Sequence, residues 1–193
     1  MYGKTFKDDA PAWKAGINDF DKVKFLGLVN VETANYTGPA LDLVVEKNGQ
    51  EYQDRMFPVN PNSVRPRFDR SQGREETQEE ATKRTYGEFN SRVKHIFTNF
   101  MSEEDFMGVQ ADSFESYIKA LTDLLPQDYN TKKGQIILGY NNKGYLEVPR
   151  YMWITGHFLS IDGQKELVVS DKINLHKPSD SAASESKPGP VEW

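Results

Sequence analysis

The sequence predicts an α+β chain, mostly β, in which about five to six strands form one small antiparallel barrel carrying a helical insertion. Three observations carry that expectation. Short runs of β-branched and aromatic residues, separated by turn chemistry, fill residues 20–59 and 132–175. Between them, over 75–126, apolar residues recur at spacings of three and four, the mark of two helices that each bury one face. From Lys177 the composition collapses to KPSDSAASESKPGPVEW, too poor in apolar residues to pack. The expected organisation is one domain over 1–176 and a disordered tail over 177–193. A two-layer α+β arrangement is the alternative.

Residues 1–20 mix Gly3, Asp8, Asp9, Pro11 and Gly16 with Phe6, Trp13, Ile17 and Phe20, which describes an arm docked by a few large side chains. KVKFLGLVNVET over 22–33 reads as a long strand, with Gly27 marking a bulge or bend. Ala34 to Pro39 reads as a loop. ALDLVVEKNGQEYQDRMFPV then gives a hairpin about Asn48-Gly49, a type I′ signal. In it Leu41, Leu43 and Val45 form the core face, and Asp42, Val44 and Glu46 a mostly wet one.

Asn60 to Gly73 contains Pro61 and Pro66 and reads as irregular. The segment 75–100 opens with Glu75, Glu76, Glu79 and Glu80, suited to a helix N-terminus, and continues with Tyr86, Phe89, Val93, Ile96, Phe97 and Phe100 as a buried stripe. Ser102 to Asp105 caps a short turn. Asp112 with Glu115 reads as a capping box for a helix that Pro126 stops. Strands follow over 132–158, broken at Asn141-Asn142-Lys143-Gly144, and a last hairpin turns at Asp162-Gly163 between 158–161 and 166–169.

The totals exclude several classes. With no cysteine, disulfides, thiolate nucleophiles and cysteine zinc sites are out. No apolar run approaches the roughly 20 residues of a membrane helix, and the opening Met-Tyr-Gly-Lys-Thr-Phe has no apolar h-region, so no membrane span is expected; the lack of cysteine leads us to expect a cytoplasmic location. A net charge of -5 argues against a uniformly basic protein, leaving only a local cationic patch to meet nucleic acid.

Such a patch is legible. Arg65, Arg67 and Arg70, bordered by Arg55 and Arg74, make the most cationic stretch, and guanidinium favours bidentate contact with phosphate or carboxylate. Phe57 and Phe68 are rings among them. Further on, Tyr140, Tyr145, Tyr151 and Trp153 interleave with Lys132, Lys133, Lys143 and Arg150, a pattern that can stack bases and track phosphates. The same residues also describe an ordinary sheet whose rings fill the core and whose cations are solvated.

Catalytic patterns are missing. His95, His157 and His176 have no partner at ligand spacing, and His95 beside the helix stripe reads as structural. The adjacent acids suit solvated or dipole-matched faces. Asp42 with Glu46 and Lys47 fails as a metal site, because neighbours on a strand point to opposite faces. No GxxxxGK[ST], GxGxxG or nucleophile elbow occurs, so no enzyme, metal or cofactor is expected.

The bent strand KVKFLGLVNVE, the hairpin ALDLVVEKNGQEYQDRMF, the late strands GYLEVPRYMWITGHF and a polar tail ending in Trp193 together resemble the single-stranded DNA-binding proteins of tailed phages. That resemblance covers most of residues 20–193. It implies an OB-like barrel and sequence-nonspecific binding of single-stranded DNA in replication or recombination, in the host cytoplasm for a phage-encoded chain. It also implies a tail that recruits replication or recombination proteins, with Trp193 as its contact. Two features depart from the pattern: Lys177 and Lys187 dilute the acids of the tail, and the helical segment is large enough to act as a lid or an oligomerisation element. The implied interface is Arg55, Arg65, Arg67, Phe68, Arg70, Lys132, Lys133, Tyr140, Lys143, Tyr145, Arg150, Tyr151 and Trp153. A non-enzymatic virion or adaptor protein, its arginines paired with carboxylates, is the competing reading.

Overall fold

The computed structural model describes residues 12–149 and 157–178, and within them the chain is a mixed α+β fold of antiparallel sheets. Lys22–Thr33 (β2), Tyr36–Lys47 (β3) and Gln50–Met56 (β4) form one meander, β1 being the preceding Gly16–Phe20. Asn48 and Gly49 both have positive φ, 50° and 77°, so the β3–β4 connection is the two-residue turn that Asn-Gly favours. On β3, Leu41, Leu43 and Val45 are fully buried, as their alternation requires.

Two short strands, Phe68–Asp69 (β5) and Arg74–Glu75 (β6), pair across the arginine-rich segment. Three helices follow: Gln78–Phe97 (α1), Glu103–Gly108 (α2) and Phe114–Asp123 (α3). Gly134–Tyr140 (β7) is the centre of the second sheet, with β1 on one edge and Leu146–Glu147 (β8) and Leu159–Ile161 (β9) sharing the other. Being central, β7 buries Ile136, Ile137 and Leu138 in succession, a continuous apolar run covered on both faces.

The core lies between β2 and β3, β7 and two helices: Leu26, Leu43, Ile96, Phe97, Ile118, Leu121 and Ile137 are each no more than a fiftieth exposed. Asn99 fastens the end of α1 to the second sheet, accepting from the Ile161 N–H at 3.2 Å and donating to the His95 carbonyl at 2.7 Å. The sheets touch where Val23 N–H donates to the Lys132 carbonyl at 2.8 Å. The ladders nevertheless remain separate sheets.

Several expectations need correction. The described residues hold nine strands and three α-helices, since two-residue strands and the six-residue α2 are too short for periodicity to reveal. The irregularity in β2 lies between Val23 and Phe25, whereas Gly27 pairs regularly with Asp42. Residues 36–39 belong to β3: Pro39 is tolerated because β4 reaches only Leu41, so at Pro39 the strand has one partner and loses no bond. The box opening α3 is Ser113 with Ser116, one residue later than Asp112 with Glu115. Residues 166–169 form no ladder with β9: the Ile161 N–H is taken by Asn99 Oδ1 and the Lys165 N–H by Ser160 Oγ, while Leu167 turns into the core and Val168 out to solvent. Asp42 is buried, not wet. The tail from 179 onward lies outside the described residues. No described helix is long and apolar enough to cross a membrane.

Candidate functional site

Immediately after β4 the chain leaves the sheet and runs along α1, and the space between them is a groove of about 560 Å³. Arg55, Arg65, Arg67, Arg84 and Arg92 line it, with Phe57 and Phe89 at its sides. Its outer wall is held by hydrogen bonds to α1 rather than by burial. Gln78 Nε2 donates to the carbonyls of Pro61 at 3.1 Å and Val64 at 3.0 Å. Arg84 Nη2 donates to the Arg65 carbonyl at 3.3 Å. The Glu76 N–H donates to the Arg67 carbonyl at 2.9 Å, and the Arg67 N–H returns to Glu76 Oε2 at 3.0 Å. A capping box of Thr77 and Glu80 starts α1 at that point. The loop is thereby preorganised before any ligand arrives.

The arginines are differently engaged. Arg55 is bidentate on the buried Asp42, Nε and Nη2 each 2.7 Å from a carboxylate oxygen, and that hydrogen bonding raises the guanidinium pKa. Arg84 grips Glu76 through Nε at 2.7 Å and Nη2 at 2.9 Å, which pulls the Glu76 carboxyl below its ordinary range. The buried Glu88 meets Arg67 at 3.1 Å and Arg84 at 3.3 Å. Arg92 pairs with Asp54 beneath the groove, where burial pushes the Asp54 carboxyl upward against the opposing pull of Arg92. Arg65 and Arg70 have exposed side chains and no ion-pair partner among the described residues.

Ring placement is more selective than the sequence suggested. Phe57 is 43% exposed and braced edge-on by Tyr36 at 5.0 Å, whose hydroxyl donates to the Pro39 carbonyl at 2.6 Å. Phe68 is exposed on β5, and Arg70 sits in the turn that Asp69 holds by accepting from Ser71. Beside the first groove, sharing Pro58, Val59 and Phe89 with it, a second groove of about 570 Å³ is lined mainly by apolar and aromatic side chains, Tyr86 and Tyr117 among them.

Of the expected site residues, Arg55, Arg65 and Arg67 converge on one groove, with Phe68 and Arg70 on the same segment beyond it. Lys132, Lys133, Tyr140, Lys143 and Tyr145 do not line it. Lys132 is engaged elsewhere, 2.9 Å from Asp128 and 3.7 Å from Asp162, and Lys133 is exposed beside it. Tyr140 lines a small pocket of about 310 Å³ with Glu147 and Lys172, and Lys143 and Tyr145 are exposed in the β7–β8 connection. Arg150, Tyr151, Trp153 and Trp193 lie outside the described residues.

Sequence reading missed Arg84 and Arg92 as groove residues. Their signal was present: both sit on α1 off its apolar stripe, on the side that the preceding loop must cover. It also missed the contact of His95 with His157, whose ring centroids are 5.4 Å apart; burial is the leading cause that lowers both pKa values. No group of three or more acids and imidazoles that could hold a metal ion occurs among the described residues. Compared with known protein families, with curated proteins and with solved structures, the chain matches none.

Proposed function

We propose that the protein binds single-stranded nucleic acid, without catalysis and without sequence preference, along the arginine groove. The observation that carries this reading is the convergence of Arg55, Arg65 and Arg67 with Arg84 and Arg92 on one preorganised groove, beside an exposed phenyl ring at Phe57. Guanidinium forks suit phosphate oxygens, and a ring suits the face of any base. Arg65 is free to take a phosphate outright, whereas Arg67, half exposed, can exchange part of its contact with Glu88 for one.

An OB-like scaffold belongs to the same proposal. Its support is that the β2–β3–β4 sheet approaches the β7 sheet, through the contact of β1 with β3 and through Val23 N–H on the carbonyl of Lys132 just before β7. The competing reading, an adaptor or virion component, is favoured by a specific observation too. Four of the five groove arginines already face carboxylates.

Fluorescence anisotropy with a labelled oligonucleotide separates the two. For three phosphate contacts on a single strand, affinity should fall about ten- to twenty-fold between about 50 and 200 mM salt. Single strands should bind more tightly than duplex. An adaptor shows no binding of either.

A further inference from the structure

The arginine groove has a neighbour. Pro58, Val59 and Phe89 line both it and the second groove, so a ligand held in the first lies beside the other. The two differ sharply in chemistry. The second is walled by Tyr86, Phe89, Phe114 and Tyr117, with Phe89 and Phe114 in tilted contact at 5.8 Å, and Asp112 is its sole charged lining residue. Tyr86 is 43% exposed, so its ring is reachable from solvent, and Met107 in the same lining is 63% exposed.

We propose that this second groove receives the bases of the strand whose phosphates lie on Arg65 and Arg67, an inference that rests on the function proposed above. An uncharged planar base is the occupant that fits. A carboxylate at Asp112 opposes phosphate, while the tyrosine and phenylalanine faces favour any π surface. The paired state of the arginines points the same way. A phosphate entering the first groove displaces existing carboxylate contacts at Arg55, Arg67 and Arg84, so charge alone yields limited net attraction, and stacking next door supplies the remainder. The base platform is thereby assigned to the helical insertion rather than to the late strands, and residues 57–59 become the ridge over which the strand passes from one groove to the other.

The test uses the full chain and two single strands of equal length, one carrying bases and one abasic, each titrated at two salt concentrations. Tyr86→Ala should weaken the base-bearing strand at least about five-fold while leaving the abasic strand and the salt dependence unchanged. Tyr86→Phe keeps the ring and should bind like the wild type. The double variant Arg65→Ala/Arg67→Ala should weaken both strands. If the arginine variant acts on both strands and Tyr86→Ala on neither, the base groove is refuted alone and the surface is left to an apolar partner peptide. Equal weakening of both strands by Tyr86→Ala also refutes it. If the arginine variant leaves both strands unaffected, the proposed function fails first and this inference with it.

Discussion

Arg92 on α1 and Asp54 on β4 form an ion pair beneath the arginine groove, each side chain less than a tenth exposed. The pair joins the helical insertion to the first sheet. Asp54 Oδ2 has no hydrogen-bond partner among the described residues, so the carboxylate depends heavily on this one contact. Breaking it by Asp54→Ala should cost about 3–5 kcal/mol, because one member of a buried ion pair is removed. Replacing both residues, as Asp54→Leu with Arg92→Met, should recover most of the loss. Urea unfolding of the single and double variants measures both.

Acid should loosen the start of α1. The Arg74 side chain and the Thr77 N–H hold the Glu80 carboxyl down at about 2, against an ordinary 4.5. A depressed folded pKa means that the contribution is fully present above the ordinary value and is lost as pH falls through about 2. Glu76, lowered chiefly by Arg84, titrates in the same sense. Glu80→Gln should therefore destabilise the protein near neutrality, and the gap to wild type should shrink as pH drops through that window. Chemical denaturation at a series of pH values reads the gap.

Gly134 marks the tightest point of the second sheet. A Cβ there would lie 2.2 Å from the Ser160 carbonyl oxygen and 2.8 Å from Phe20 Cζ. Since the first obstacle is backbone, Gly134→Ala should destabilise by about 1–3 kcal/mol, toward the upper end. Gly108→Ala, with nothing within 4 Å, serves as the control in the same thermal melt.

Much of the fold was legible because its elements obey local rules. The β2 span, the Asn48-Gly49 turn, the Asp162-Gly163 turn with its positive φ values, and the Ser102 cap all follow from residue chemistry within a few positions. What escaped was set by distant partners. Pro39 is acceptable in β3 because β4 stops short of it, and residues 166–169 lack a ladder with β9 where the distant Asn99 side chain takes the Ile161 N–H. The site divides the same way. Clustering in sequence announced Arg65, Arg67 and Arg70, whereas Arg84 and Arg92 reach the groove from α1, and their position off its apolar stripe was the weaker signal that they face the loop. The interleaved lysines and tyrosines of 132–145 looked like one surface, yet Lys132 is drawn to Asp128 and Asp162, away from the arginines.

The salt dependence of oligonucleotide binding, wild type against Arg65→Ala/Arg67→Ala, bears most directly on the arginine groove. Each phosphate contact on a single strand contributes about 0.7 to the slope of log affinity against log salt, so the double variant should flatten that slope by about 1.4. An unchanged slope, or a wild-type protein that binds no oligonucleotide at low salt, would contradict the assignment of these guanidiniums to phosphate.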